Sequence, residues 1–446
     1  MQLENFATEA FQQARHLGGT AGDILIATGE SFSASVRLGE VEKVHNAREK
    51  RLGLRIFVGS RSAITSTSDF SLEALSVLVE ETVKLAKATA ADEISGLPSP
   101  EDFAKDFPDL DLADFNANLT PEEKIALACE AESAALSLDP RITNSEGAEF
   151  SHSSREVLYA NSFGFLGRYY TTSFSLSAVP VAQQNGAMQR DYWYSSHRKL
   201  NGLESAAMVG KKAAERTVRR LGARRVKTQE APVVFDPETA ASLLRHLAGA
   251  VSGSALYRKT SFLLDKLGTQ VAAACISIDD NARIPTALGS KPFDGEGLPT
   301  RRTSVIEDGI LTSYLLDTYS ARKLGLQSTG NASRSFADAP VAGPTNFFLK
   351  PGVTSPEEII RSVHSGLYVS ELSGFGVNPV TGDYSRGAVG LWIENGDLAY
   401  PVEEITIAGN LLDMFQKIEV IGNDLELRGT IAAPTLKIAR MTIAGE

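Results

Sequence analysis

Six histidines, His16, His45, His152, His197, His246 and His364, are where metal chemistry would have to begin in this chain. A hydrolytic zinc site gathers imidazoles and carboxylates around one ion, and its helical form needs two histidines one turn apart with a glutamate base beside the first. Here the nearest two, His16 and His45, are 29 positions apart. The residues that follow the six are Leu17, Asn46, Ser153, Arg198, Leu247 and Ser365, so none has an adjacent Glu. The helical motif is absent in every register, and only a site assembled from distant residues stays open. Nucleophile motifs are equally sparse. Ser320-Ala321-Arg322-Lys323 matches Ser-x-x-Lys, but Lys259-Thr260-Ser261 precedes it instead of following, and no Ser-Asp-Asn element accompanies it. Neither a nucleophile elbow nor a phosphate loop occurs, and Gly374-Phe375-Gly376 fails to complete a dinucleotide fingerprint.

Two turn-dense polar stretches remain. Phe293-Asp294-Gly295-Glu296-Gly297 sets two carboxylates between glycines, just before Arg301-Arg302. Leu372 to Gly387 carries Asn378, Asp383, Tyr384 and Arg386 among four glycines and an Asn-Pro step. Glycine permits positive φ, and Asn-Pro and Thr-Gly-Asp favour turns. Such stretches are either tight, internally satisfied connections or loops lining a cleft or subunit seam.

The elements that must position these residues are readable from caps and periodicity. Asp236-Pro237-Glu238 combines a favoured N-cap, a proline suited to the first helical position and an acid at the positive helix start. The spacing predicts a helix over 237–250, inside the central stretch Ala241–Leu263. Helices are also predicted over 3–17, 72–88, 121–138, 203–221 and 356–364. Strands are expected at 23–27, 32–38, 42–45, 51–58, 63–67, 141–149, 156–161, 167–179 and 188–195. A second set covers 271–278, 304–307, 310–317, 345–349, 387–394, 402–408, 418–421 and 435–444. Asp308-Gly309 and Asn395-Gly396 mark hairpins. Residues 89–119 read as a connection. This segregation of helices and antiparallel strands predicts an α+β fold, with an N-terminal α+β region over 1–225 and a C-terminal β-rich domain over 226–446. Each half of 1–222 reads helix, strands, helix, which suggests two units, 1–90 and 120–222.

A net charge of −11, from 55 Asp and Glu against 44 Lys and Arg, opposes non-specific nucleic-acid binding. The basic clusters at Arg219-Arg220 and Arg224–Lys227 read as cations at a helix C-terminus. Cys129 and Cys275 are expected to be small buried hydrophobes, since two cysteines make no disulfide scaffold. The N-terminal segment is amphipathic, not signal-like, and no run reaches membrane-span length, so a soluble cytoplasmic protein is expected, with no membrane partner.

Ser373 to Gly396 (SGFGVNPVTGDYSRGAVGLWIENG), followed by YPVEEITIAGNLLDMF, VIGNDLELRG and the closing MTIAG, resembles the PmbA (TldE) side of the TldD/PmbA family. FDGEG and Asp317–Gly325 agree with it, and the resemblance runs over essentially the whole chain. It implies a two-subunit cytoplasmic metalloprotease that degrades or trims unfolded peptides. One subunit, TldD, carries His-Glu-x-x-x-His on the central helix and a late Cys associated with the zinc. The other lacks the motif and acts as partner. With Leu243-Leu244 and Gly249 as anchors, the His-Glu pair falls on Arg245-His246 and the second His on Ala250. The late Cys segment is missing too, since Leu427–Thr430 runs directly into Ile431–Thr435.

The resemblance therefore implies a chain with no cofactor of its own, the zinc lying in a TldD-like catalytic subunit, and a homodimer when that partner is absent. Arg245 and His246 are expected to line the chamber or seam, or else to be solvated or paired structurally. Asp294, Glu296, Arg301, Arg302, Asn378, Asp383, Tyr384 and Arg386 are candidate chamber or interface residues. Two alternatives are a self-contained homodimeric hydrolase built on Asp294, Glu296, Arg301 and Arg302, and a regulator of DNA gyrase without proteolysis.

Overall fold

The computed structural model describes residues 3–446. Helix α1 (Leu3–His16) leads into three strands, β1 (Ala21–Arg37), β2 (Glu40–Val58) and β3 (Arg61–Thr67), and then α2 (Leu72–Ala88). Ser71 caps α2 by accepting from the Ala74 backbone N–H at 3.2 Å. A largely irregular connection leads to α3 (Pro121–Leu138), which Thr120 and Glu123 open with a reciprocal capping box. Then come β4 (Ile142–Asn161), β5 (Leu166–Gln184), β6 (Ala187–Arg190), β7 (Trp193–His197) and α4 (Ala206–Val218).

These strands form one antiparallel seven-stranded sheet, ordered β3-β2-β1-β4-β5-β6 with β7 also on β5. The two helix-strands-helix runs join edge to edge where β1 pairs β4 over almost its whole length. Alternation along β1 explains how one sheet serves four helices. Ile24 and Ile26 enter a core with α1 and α2, and Phe32, Ala34 and Val36, on the same face, enter a second core with α3 and α4. The opposite face carries Asp23, Arg55 and Tyr159 toward the C-terminal half.

That half opens with β8 (Gln229–Phe235), α5 (Pro237–Ala250) and α6 (Gly253–Tyr257). Short elements follow: β9 (Ile278–Asn281), β10 (Arg302–Glu307), β11 (Ile310–Leu311), α7 (Thr318–Leu324), β12 (Ala332–Ser333), β13 (Val341–Ala342), β14 (Phe347–Leu349) and α8 (Pro356–Arg361). The chain ends in β15 (Ser365–Val377), β16 (Asp383–Glu394), β17 (Asp397–Asn410), α9 (Leu411–Gln416), β18 (Ile418–Ile421), β19 (Ile431–Ala432) and β20 (Leu436–Ala444). The order β17-β16-β15-β8-β20 closes on itself because β17 also pairs β20, making a barrel to which β18 is attached. A five-stranded sheet, β11-β10-β9-β14-β19, lies beside it. The architecture is α+β with mainly antiparallel strands; β8–β15 and β14–β19 are the parallel pairs.

Several expectations need correction. The two runs 23–27 and 32–38 are one strand, because Gly29 continues it where β4 approaches closely; a Cβ there would lie 2.3 Å from the Ser154 carbonyl oxygen. Likewise 42–45 and 51–58 are one β2, whose polar residues 40–51 are mostly exposed and so lack alternation. Residues 271–277 form no strand, since the N–H groups of Val271 and Ala272 both go to the Gly309 carbonyl while Ala273 donates to Phe415. The expected strand 310–317 shrinks to Ile310–Leu311. Cys275 is exposed and Cys129 only half-buried, not core residues. Arg219 caps the C-terminus of α4 and Arg220 follows it, as expected, but the side chains of Arg220 and Arg225 pair with carboxylates of the barrel, Glu371 and Glu404. Both hairpins, at Asp308-Gly309 and Asn395-Gly396, form as expected. Among the described residues no helix is long and apolar enough to cross a membrane.

Candidate functional site

The centre of the site is α5. Asp236 caps it, accepting from the Thr239 N–H at 2.9 Å and the Thr239 hydroxyl at 2.8 Å, and Pro237 sits in the first turn. Leu243, Leu244, Leu247 and Ala248 are buried in the barrel core. Ser242, Arg245, His246 and Gly249 fall at i, i+3, i+4 and i+7, and this second stripe lines a cavity of about 560 Å³. The opposite wall is the outer arm of the β15–β16 hairpin, including Phe375, Val377 and Arg386.

The arm explains the turn-dense stretch. Residues expected as loop extend both strands, and the turn itself is only 378–382. Asn378 donates its N–H to the Asp383 carbonyl at 2.8 Å and accepts from the Val380 N–H at 2.9 Å. Asp383 accepts from the Thr381 hydroxyl at 2.6 Å and is held below the ordinary carboxylate range by that bond and by Asn410. Both residues therefore shape the turn. Tyr384 is buried, its ring edge-on to His246 at 6.3 Å, and burial pushes its hydroxyl well up. Arg386 donates from Nε to the Ser373 carbonyl at 3.0 Å. Burial lowers His246, and the positive charges of Arg386 and Arg245 lower it further, so its imidazole is neutral near pH 7. Its Nε2 is buried without a hydrogen-bond partner, as is the Tyr384 hydroxyl.

Arg245 also borders a second cavity of about 580 Å³, next to the neighbouring stripe Glu238, Ala241 and Arg245 of the same helix. Its walls include Trp193, Arg219, Glu238 and residues 428–433, with the Arg428 guanidinium over the Trp193 ring at 4.1 Å. Two stretches far apart in sequence, the middle of α5 and the segment leading into β19, thus meet beside one space. Glu238 is pushed up by burial and by Asp236, against a restraining hydrogen bond from the Tyr194 hydroxyl at 3.2 Å.

Asp294 and Glu296 lie elsewhere, under the N-terminal sheet. Asp294 accepts from the N–H groups of Glu296, Leu298 and Ala332 at 2.9–3.0 Å. Glu296 accepts from the Thr318 N–H at 2.9 Å, and its other oxygen is 4.0 Å from Arg55. Burial and the neighbouring Asp294 push Glu296 up to about 7, with Arg55 opposing. Nearby, Asp23 pairs with Arg55 at 2.5 Å and with Arg334, and accepts from the Tyr159 hydroxyl at 3.2 Å. Burial alone would raise Asp23, but the two guanidinium groups outweigh it and hold it low. Arg301 donates to the Ser328 carbonyl at 2.6 Å, and Arg302 pairs with Asp279 at 2.7 Å, so neither meets the two carboxylates. Asp23 and Arg334 belong to no motif that marks them in advance, whereas Arg55 stands out as a single charge in the apolar run Leu52–Val58.

Three family models cover successive parts of the chain: PmbA/TldA metallopeptidase domain 1 at 22–86, its central domain at 116–221 and its C-terminal domain at 228–445. The metalloprotease PmbA of Escherichia coli O157:H7 is 41% identical over 441 residues, 98% of this chain and 96% of that protein. The chain belongs to the PmbA/TldD family. Its place is on the PmbA side: a PmbA homolog of Haemophilus influenzae is 38% identical over 445 residues, whereas the TldD homolog of the same organism is 26% identical over 424. These spans are 100% and 89% of this chain, and 96% and 87% of the respective relatives. A Bacteroides thetaiotaomicron crystal structure described as a candidate modulator of DNA gyrase superposes with TM-score 0.92 at 30% identity, over 99% of both chains. TldE from Thermococcus kodakarensis shares the fold, with TM-score 0.89 at 22% identity over the full length of both.

A PmbA/TldD metallopeptidase implies a metal, and zinc takes three or four nitrogen, sulfur or oxygen donors. Arg245 brings a cation, Ala250 brings no donor, and His246 is flanked by two guanidinium groups. Among the described residues no three His, Cys, Asp or Glu side chains gather as a metal would require. The residues present do not fit a zinc ion.

Proposed function

We propose that this chain is the non-catalytic subunit of a two-subunit cytoplasmic peptidase that acts on unfolded peptides. A TldD-like partner supplies the zinc and the base, and this chain completes an enclosed substrate chamber and stabilises the active assembly. The observation that carries the reading is the make-up of α5. At the positions where the resemblance expects His, Glu and His, the helix has Arg245, a neutral His246 and a buried Ala250, and the Arg245 charge repels a divalent cation. Peptide hydrolysis by such an enzyme needs a metal to polarise the scissile carbonyl and lower the pKa of water. That requirement is what the partner meets.

A self-contained hydrolase built on Asp294 and Glu296 is disfavoured because both carboxylates are buried and spent on backbone N–H groups. A regulator that touches DNA directly is disfavoured by the net charge of −11. The deciding experiment is co-expression with a TldD-like protein from the same organism. Cleavage of an unfolded peptide should require both subunits, with zinc by elemental analysis following the partner. Stoichiometric zinc in the isolated chain, or cleavage by it alone, would overturn the proposal.

A further inference from the structure

We infer that the cavity between α5 and the β15–β16 arm binds a peptide by its C-terminal carboxylate, with an apolar last side chain seated in the pocket. The cavity's charge is one-sided. Arg245 and Arg386 line it, and no Asp or Glu does. Acidic residues outnumber basic ones in this chain, and Arg216, Arg220, Arg302 and Arg428 all have carboxylate partners. Among the described residues, Arg386 has only the Ser373 carbonyl, and Arg245 has no hydrogen bond or ion pair. Two guanidinium groups left without anions beside one cavity create a favourable place for an anion, and the planar fork of each matches a carboxylate.

The rest of the lining says which kind of anion. Ala250, Phe262, Val377 and Leu411 make the wall mainly apolar, and Phe375 stands fully exposed at the end of the arm beside it. A small hydrated ion gains nothing from such a wall, whereas an acid bearing an apolar side chain buries that side chain there. The volume, about 560 Å³, lies in the range of sites that enclose small organic ligands. Choosing a peptide over another apolar acid rests on the peptidase-subunit reading; the charge and shape of the site do not.

The test uses the isolated full-length chain and isothermal titration calorimetry. The probes are N-acetyl-Ala-Ala-Phe as the free acid, the same tripeptide as its C-terminal amide, and inorganic phosphate as competitor. The acid is expected to bind about ten-fold or more tightly than the amide, because the charge-assisted bonds are lost in the amide. Arg386→Gln and Arg245→Gln should each weaken the acid by about five-fold or more and leave the amide nearly unchanged. Equal binding of acid and amide, no binding of the acid, or displacement by phosphate at comparable affinity would each overturn the inference. No partner or cleavage enters this measurement. A failed co-expression experiment would leave the site standing, and a failed titration would leave the subunit reading standing.

Discussion

Glu296 offers the most searching test of the buried charge cluster between the two halves. Its carboxyl ordinarily titrates near 4.5 and here titrates at about 7, because burial and the Asp294 charge disfavour ionisation more than Arg55 favours it. The native state therefore holds a proton that the unfolded chain releases. Stability contributed by this group is fully present below the unfolded value of 4.5 and is lost as pH rises through 7. Integrating the two titrations gives a loss of about 2.5 kcal/mol between about pH 5 and about pH 8. Glu296→Gln keeps an acceptor for the Thr318 N–H and cannot ionise, so it removes the dependence. Urea unfolding of both proteins at the two pH values measures the effect. The variant should gain about 2.5 kcal/mol on the native protein as pH rises from about 5 to about 8. A change in that difference of less than about 0.5 kcal/mol would refute the assignment of a buried, proton-holding carboxyl.

Asp23→Asn leaves Arg55 and Arg334 buried without their shared anion, and should cost about 3–5 kcal/mol, read as a lower urea midpoint. Gly210→Ala should destabilise by about 1–3 kcal/mol, because a Cβ would sit 2.0 Å from the Ala131 carbonyl oxygen where α4 crosses α3; thermal unfolding checks it. Thr120→Ala should cost about 1 kcal/mol by opening the α3 capping box, measured the same way. Phe375→Ser, on a fully exposed side chain, should shift the melting temperature negligibly.

Legibility from the sequence followed the locality of the physics. Helix α5 has the bounds that its Asp-Pro-Glu start and its periodicity predict, because caps act within one turn. The hairpins at Asp308-Gly309 and Asn395-Gly396 were readable for the same reason: their positive φ values are demanded by the turn alone. Strand continuity was not legible at Gly29, where a residue that usually signals a break marks the close approach of β4. The stretch 372–387 has turn composition, yet most of it is strand, because cross-strand pairing with β16 and β17 overrides local preference. At the candidate site, the helix positions and Tyr384 and Arg386 could be named in advance, but their meeting depends on a hairpin register that no local signal encodes. The cluster around Asp23 shows the converse. Its members are drawn from strands and loops between Asp23 and Arg334, and only Arg55 announces itself as a charge in an apolar run.

Strand β1 has a consequence for how the chain can be divided. Because it feeds both N-terminal cores, a fragment ending near residue 90 would keep the strand and lose β4. Phe32, Ala34 and Val36 would lie bare, beside a row of backbone N–H and C=O groups with no ladder to join. A second copy of the fragment could complete that edge, so the excised piece should aggregate or exchange strands with its neighbours. The same strand limits drift in the sequence of the intact chain. A one-residue slip in its pairing would turn both apolar sets outward together, so insertions are better tolerated in the connection over 89–119 than anywhere along β1.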